Sequence, residues 1–124
     1  MKESIFKYLD VKSGKLITWD DFEKLDIRSG TILSAKPFEK AKKPAYQLEI
    51  DFGPVGIKKS SAQITHHYSA EELIGKQIIA VINFPPKQIA NFFSECLVLG
   101  VYDKDHQVVL LEPTLSVENG SKIG

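Results

Sequence analysis

The stretch Ala45-Tyr46-Gln47-Leu48-Glu49-Ile50-Asp51-Phe52 decides the fold. Tyr46, Leu48, Ile50 and Phe52 alternate with Gln47, Glu49 and Asp51, the period-2 pattern of a strand with one face buried and one face wet. It runs into Gly53-Pro54-Val55-Gly56, a turn in which glycine is free to take a positive φ, and a second run, Ile57 to Ile64, follows at hairpin distance. Upstream, Ile27 to Ala35 holds β-branched Ile27, Thr31 and Ile32, with Gly30 marking a bulge or bend. Downstream, Gln77 to Ile82, Leu97 to Tyr102 and Val108 to Glu112 are short apolar runs bounded by Gly, Asn, Pro or Asp. The last two are joined by Asp103-Lys104-Asp105-His106, a hairpin loop by composition.

Helix is scarce. Thr18 can cap a short helix with Asp20 and Asp21 in its first turn, and Ser69 with Glu71 and Glu72 starts one helical turn that stops at Gly75. Six short strands, with short helical segments near the N-terminus and between strands, predict an all-β protein, a small closed or partly open barrel. Residues 1–17 are weakly patterned and read as an N-terminal extension; residues 18–124 read as one domain.

Composition narrows the classes. The single cysteine, Cys96, excludes an internal disulfide framework and fits a reducing compartment. The longest wholly apolar run is Ile78 to Ile82, far short of the ~20 residues of a membrane span, and Met1 to Asp10 has no apolar signal-peptide core. Sixteen basic and sixteen acidic residues balance, but residues 27–94 carry +4 and residues 95–124 carry −3. Such a distribution can offer a polyanion one basic face.

Catalytic patterns are missing. Cys96 has apolar neighbours and reads as a small buried hydrophobe; His66-His67 would point to opposite faces of a strand and read as a surface pair; Asp103-x-Asp105 reads as a turn. No metal site, cofactor site or nucleophile motif is found, so no cofactor is expected. Two loops remain. Lys36 to Pro44 carries four lysines, Lys36, Lys40, Lys42 and Lys43; Asn83 to Ser94 carries Lys87, three phenylalanines and several amides, with no acid. Lysines neutralise phosphates, phenylalanines stack on unpaired bases, and Asn or Gln reads base edges. A solvated lysine loop, with Phe84, Phe92 and Phe93 plugging a barrel end, fits the same residues equally well.

Ile17-Thr18-Trp19-Asp20-Asp21-Phe22, Asp26-Ile27-Arg28-Ser29-Gly30-Thr31-Ile32, Ile57 to Ile64, Glu72 to Gln77, Asn83 to Glu95 and Asn119 to Ile123 together resemble the tRNA-binding domain family (EMAP II-like OB-fold). Within it the chain is most similar to the stand-alone CsaA-type branch, described as export-related chaperones. The resemblance implies an OB-fold, a small Greek-key barrel, and a homodimer with two tRNA-facing grooves; the composition above places it in the cytoplasm as an expectation. It implies that Asn83, Pro86, Lys87, Ser94 and Glu95 belong to the tRNA-facing loop, with Lys58, Lys59 and Ser60 on the adjoining strand. Phosphate contacts are then expected from Lys36, Lys42, Lys43, Lys58, Lys59 and Lys87, and hydrogen bonds from Asn83, Gln88, Asn91 and Ser94. Where broader members carry a basic residue and a glycine, this chain has Ala90 and Asn91. The alternative implied by the CsaA branch is a binder of unfolded or export-bound polypeptides. Val108 to Leu111 is apolar on both faces, which predicts cover by a second subunit, with Trp19, Phe22, Val109, Leu111 and the segment Leu115 to Ile123 near the interface.

Overall fold

The computed structural model describes residues 15–124. The extension read over 1–17 therefore lies outside the described residues as far as residue 14. Thr18 caps α1 (Trp19–Glu23) through a reciprocal pair: its hydroxyl accepts from the Asp21 N–H, and the Asp21 carboxylate accepts from the Thr18 N–H. The strands β1 (Ile27–Pro37), β2 (Tyr46–Asp51), β3 (Ile57–Ala62), β4 (Gln77–Val81) and β7 (Leu97–Val98) form an antiparallel sheet in the order β3-β2-β1-β4-β7. Helix α2 (Ala70–Leu73), capped by Ser69 and Glu72 in the same reciprocal way, links β3 to β4. Two hairpins complete the barrel: β5 (Lys87–Ile89) with β6 (Phe92–Ser94), and β8 (Gly100–Tyr102) with β9 (Val108–Leu110).

The alternation read in β2 is what the core uses. Leu48, Ile50 and Phe52 are fully buried with Ile32, Leu73 and Ile78, each worth roughly 1.5–3 kcal/mol in area removed from water. Strand β1 serves both halves of the sheet: Ile27 to Thr31 pairs with β4, and Thr31 to Pro37 with β2. The irregularity in β1 falls at Leu33, between Ile32 and Ser34, and not at Gly30. Gly30 has a different cause. A methyl group there would lie 2.7 Å from the Phe52 ring and 2.8 Å from Ile50 Cγ2, so the missing side chain is space that the core fills.

Closure of the barrel is made by side chains. The outer edge of β3 would leave backbone donors bare, an arrangement that invites strand pairing from outside. Here the Lys59 N–H donates to Glu95 Oε1 (2.9 Å), the Ser61 N–H donates to Ser94 Oγ (3.0 Å), and the Glu95 N–H returns to the Lys59 carbonyl (2.7 Å). Residues 117–123 lie along β1: the Ser29 N–H donates to Ser121 O, Gly120 N–H to Ser29 O, Ile123 N–H to Ile27 O, and Arg28 Nη1 to Gly120 O. The C-terminal segment placed near a subunit interface on sequence grounds thus makes these bonds within its own chain.

The expected loop Asn83 to Ser94 contains a hairpin that the composition hid. Lys87↔Ser94 and Ile89↔Phe92 pair across a two-residue turn, Ala90-Asn91, with Ala90 at φ 54. A left-handed alanine costs on the order of 1 kcal/mol. Ala90→Gly is therefore expected to raise the unfolding free energy by up to about 1 kcal/mol, seen as a higher urea midpoint with an unchanged slope. An unchanged or lowered midpoint would contradict the turn geometry.

Candidate functional site

Where β3, the β5–β6 hairpin and the β7–β8 segment meet, they leave a groove of about 1210 Å³. Lys43 and Pro44 from the β1–β2 connection line it, as do Phe84, Lys87 and Ile89. Ser61, His66, Tyr102 and His106 belong to the same lining. Among the described residues no carboxylate lines it, whereas two lysines and two histidines do. Phe84 is 48% exposed and Tyr102 72% exposed, so two rings face solvent along an acid-free channel. Two carboxylates close by, those of Glu95 and Asp103, are engaged. Glu95 Oε1 accepts from the Lys59 N–H, and Asp103 accepts from the backbone of Gln107 and Asp105 and pairs with His67 Nε2 at 2.7 Å. The Gln107 N–H, and then His67, hold the Asp103 carboxyl below its ordinary pKa. Those contacts brace the β8–β9 turn above the usual carboxylate range and are lost as pH falls through the lowered value.

The structure brings together part of the set expected from sequence. Lys42, Lys43, Lys87, Pro86, Gln88 and Asn91 are exposed, on the rim or on the β5–β6 hairpin, and Gln88 Nε2 donates to the Ala90 carbonyl. Lys36 is exposed but belongs to β1 opposite Gln47, not to the loop, because β1 runs on to Pro37. Lys58 and Lys59 are neighbours on one strand and so leave opposite faces. Lys58 is half-buried on the side of Ser60, and Lys59 is exposed on the side of Ser61, so a single surface cannot take both head-on.

Four expected contacts turn out to hold the frame. Ser60 is 1% exposed and its hydroxyl donates to the Cys96 carbonyl at 2.9 Å, so its side chain cannot reach a ligand. Ser94 and Glu95 close the β3 edge. Asn83 joins the start of β1 to the end of α1: its Oδ1 accepts from the Asp26 N–H and its Nδ2 donates to the Lys24 carbonyl. Cys96 is buried, and burial pushes its thiol up to about 11, against the smaller lowering effects of Ser60 and Lys58; it is an inert part of the core.

The phenylalanines divide between the two readings. Phe38 is buried and its ring lies 5.4 Å from that of Phe92, a plug at the barrel end, while Phe84 and Phe93 stay about half exposed. Sequence reasoning did not place His66, Tyr102 and His106 at the site. They come from segments far apart in the chain, and only the folded barrel brings them onto one lining with Lys87.

Of the residues expected at a subunit interface, Trp19 projects from α1 at 84% exposure and Phe22 is half-buried. Val109 and Leu111 are exposed, and Val109 is paired with the exposed Val101 on the outer face of the β8–β9 hairpin.

A nearly closed antiparallel barrel with a basic, acid-free groove between strand loops is an OB-fold of the oligonucleotide-binding kind. The chain belongs to the family described as "Putative tRNA binding domain", whose model matches residues 27–122. Among solved structures it is similar to chaperone CsaA from Bacillus anthracis, with 52% identity and a TM-score of 0.84, covering 88% of this chain and 99% of that one. It is also similar to the CsaA chaperone protein from Picrophilus torridus, with 56% identity and a TM-score of 0.83, covering 88% of this chain and all of that one. Among curated proteins it is 37% identical over 108 residues to a methionine–tRNA ligase of Chlorobium phaeobacteroides, spanning 87% of this chain but only 15% of the ligase.

Proposed function

We propose that this protein is a non-enzymatic tRNA-binding protein, acting in the cytoplasm as a homodimer that presents two basic grooves. The observation that carries the reading is the acid-free groove with Lys43 and Lys87 on its rim and exposed rings inside. Lysines fix the phosphates and rings accept unpaired bases, which is how an OB-type surface holds nucleic acid without a reaction. The match to a tRNA-binding family supports tRNA as the ligand. Three to five lysine–phosphate contacts give a slope of roughly −2 to −4 for log K against log salt. Anisotropy titration of bulk tRNA across salt concentrations tests this, and a flat slope contradicts it.

The homodimer rests on the outer face of the β8–β9 hairpin, where Val101 and Val109 sit side by side in solvent. One barrel grips few nucleotides, and two grooves in one rigid body make the second contact intramolecular. Val109→Asp is expected to give a monomer by light scattering and to weaken tRNA binding about tenfold or more, while a short single-stranded oligonucleotide is nearly unaffected. Equal loss for both ligands, or none for tRNA, would limit the dimer to stability.

A second reading, a chaperone for extended polypeptides, is favoured by one observation. Leu97, Val98 and Ile89 line the same groove as the lysines, and Leu97 is exposed. Export-bound or unfolded chains would bind there with little response to salt, which separates the two readings in the same titration.

A further inference from the structure

Asn119-Gly120 is the one Asn-Gly pair in the chain, and the fold makes demands on both residues. Gly120 takes φ 87, and a side chain there would meet the Phe52 carbonyl oxygen, so glycine is required. Asn119 is the hub of a side-chain cluster: its Oδ1 accepts from Thr31 Oγ1 (2.7 Å) and Gln77 Nε2 (3.2 Å). Gln77 also brackets Val117, donating to its carbonyl at 2.6 Å and accepting from its N–H at 3.1 Å. The buried Ser29 hydroxyl donates to the Glu118 carbonyl and accepts from the Ser121 N–H. With the main-chain bonds to β1, these contacts hold residues 117–123 as a clasp. Asparagine before glycine is the pair most open to cyclisation, because glycine puts no side chain in the way of its own nitrogen. In the closed clasp both reacting groups are occupied. The Gly120 N–H donates to Ser29 O at 2.8 Å, and the Asn119 amide is tethered by Thr31 and Gln77.

We propose that Asn119 is a site of spontaneous deamidation, reached only when the clasp opens, and that the isoaspartate so formed makes the opening permanent. The Gly120 nitrogen, losing its proton, bonds to Asn119 Cγ; the Cγ–Nδ2 bond breaks and Nδ2 leaves with that proton as ammonia. Water then opens the cyclic imide, and nothing is oxidised or reduced. Breaking the bond from the nitrogen to Cγ leaves aspartate. Breaking the bond from the nitrogen to the main-chain carbonyl carbon leaves isoaspartate, in which the chain runs through the side-chain carbons. The two products act differently on the clasp. An aspartate carboxylate still accepts from Thr31 and Gln77, so residues 117–123 close again. Isoaspartate lengthens the main chain before Gly120 and puts the following residues out of step with β1, where Gly120, Ser121 and Ile123 bond Ser29 and Ile27. Residues 117–123 do not line the groove, so the inference stands apart from the RNA-binding reading.

The test is peptide mapping of the full chain after ageing in mildly alkaline buffer. Trypsin releases Asp105 to Lys122 as one peptide whose sole asparagine is Asn119, and electron-transfer fragmentation tells isoaspartate from aspartate. The folded wild type is expected to deamidate about tenfold or more slower than the same peptide free in solution, because the reaction follows the open fraction of the clasp. Thr31→Val removes one bond to Oδ1 and should speed the reaction about fivefold, the worth of a typical hydrogen bond. Gln77→Ala, which also releases Val117, should speed it further. Amide hydrogen exchange then separates the products. Asn119→Asp should keep the Gly120 and Ile123 amides protected as in wild type, whereas the isoaspartate fraction of the aged protein should lose that protection. Deamidation as fast in the folded chain as in the free peptide, or no response to either variant, would overturn the proposal. So would a free peptide that keeps its amide, or isoaspartate protein with Gly120 still protected.

Discussion

Gly30→Ala is expected to destabilise the protein by about 2–3 kcal/mol, although glycine is a poor strand residue. By propensity alone the substitution would help by a few tenths to one kcal/mol. Packing reverses the sign. The added methyl would sit 2.7 Å from two carbons of the Phe52 ring and 2.8 Å from Ile50 Cγ2, and both residues are fully buried. A close-packed core absorbs an extra carbon only by off-rotamer side chains and backbone shifts, typically costing about 1–3 kcal/mol. Phe52 cannot swing away cheaply. Gly53 and Gly120 pack closely around its end of β2, and the Phe52 N–H donates to the Gly56 carbonyl. Urea unfolding measures the loss. In the double variant Gly30→Ala/Phe52→Leu the two changes should couple favourably by about 1 kcal/mol, because the smaller ring-free side chain vacates the contact. Additive effects, or a neutral Gly30→Ala, would contradict the packing account.

The second large effect concerns binding. Removing both rim lysines in Lys43→Ala/Lys87→Ala is expected to weaken tRNA binding about fortyfold at 0.1 M salt. Each phosphate contact releases close to one counterion, a slope of about 0.7–0.9, which at that salt is roughly sixfold in affinity. The slope of log K against log salt should become shallower by about 1.4–1.8, while the unfolding free energy stays within about 0.5 kcal/mol of wild type because both side chains are exposed. Lys122→Ala, on the C-terminal segment beside Arg28 and outside the groove lining, serves as the control and should leave binding unchanged. A double variant with an unchanged slope would place the RNA elsewhere.

The parts of this fold that were legible in the sequence are those written locally. The alternation of Tyr46 to Phe52 specified β2 and its buried face, the Gly-Pro-Val-Gly turn specified the hairpin to β3, and Thr18 and Ser69 marked both helix starts through their acidic partners three residues on. What remained hidden was non-local. Gly30 looks like a bend from its neighbours, yet its reason is Phe52, twenty-two residues away. Ser60 looks like surface beside two lysines, yet the Cys96 carbonyl makes it interior. The three-residue strands β5 and β6 are too short for a period to show, and Pro85-Pro86 with an alanine in the turn disguises the hairpin. For the site, the charged rim was legible because lysines cluster in sequence near Lys42 and Lys43. Tyr102 and His106 were not, because they share a lining with Lys87 only in the folded barrel.

RNA is proposed to lie in the groove lined by Lys43, Lys87 and Tyr102. Backbone amide NMR shifts recorded while adding tRNA address it residue by residue. The account predicts that the perturbed amides are those of residues 42–45, 59–66, 84–94 and 100–107, with the segment 117–123 and its β1 partners Ile27 and Ser29 unmoved. Shifts concentrated on α1 and the C-terminal segment, with the β5–β6 hairpin silent, would contradict it.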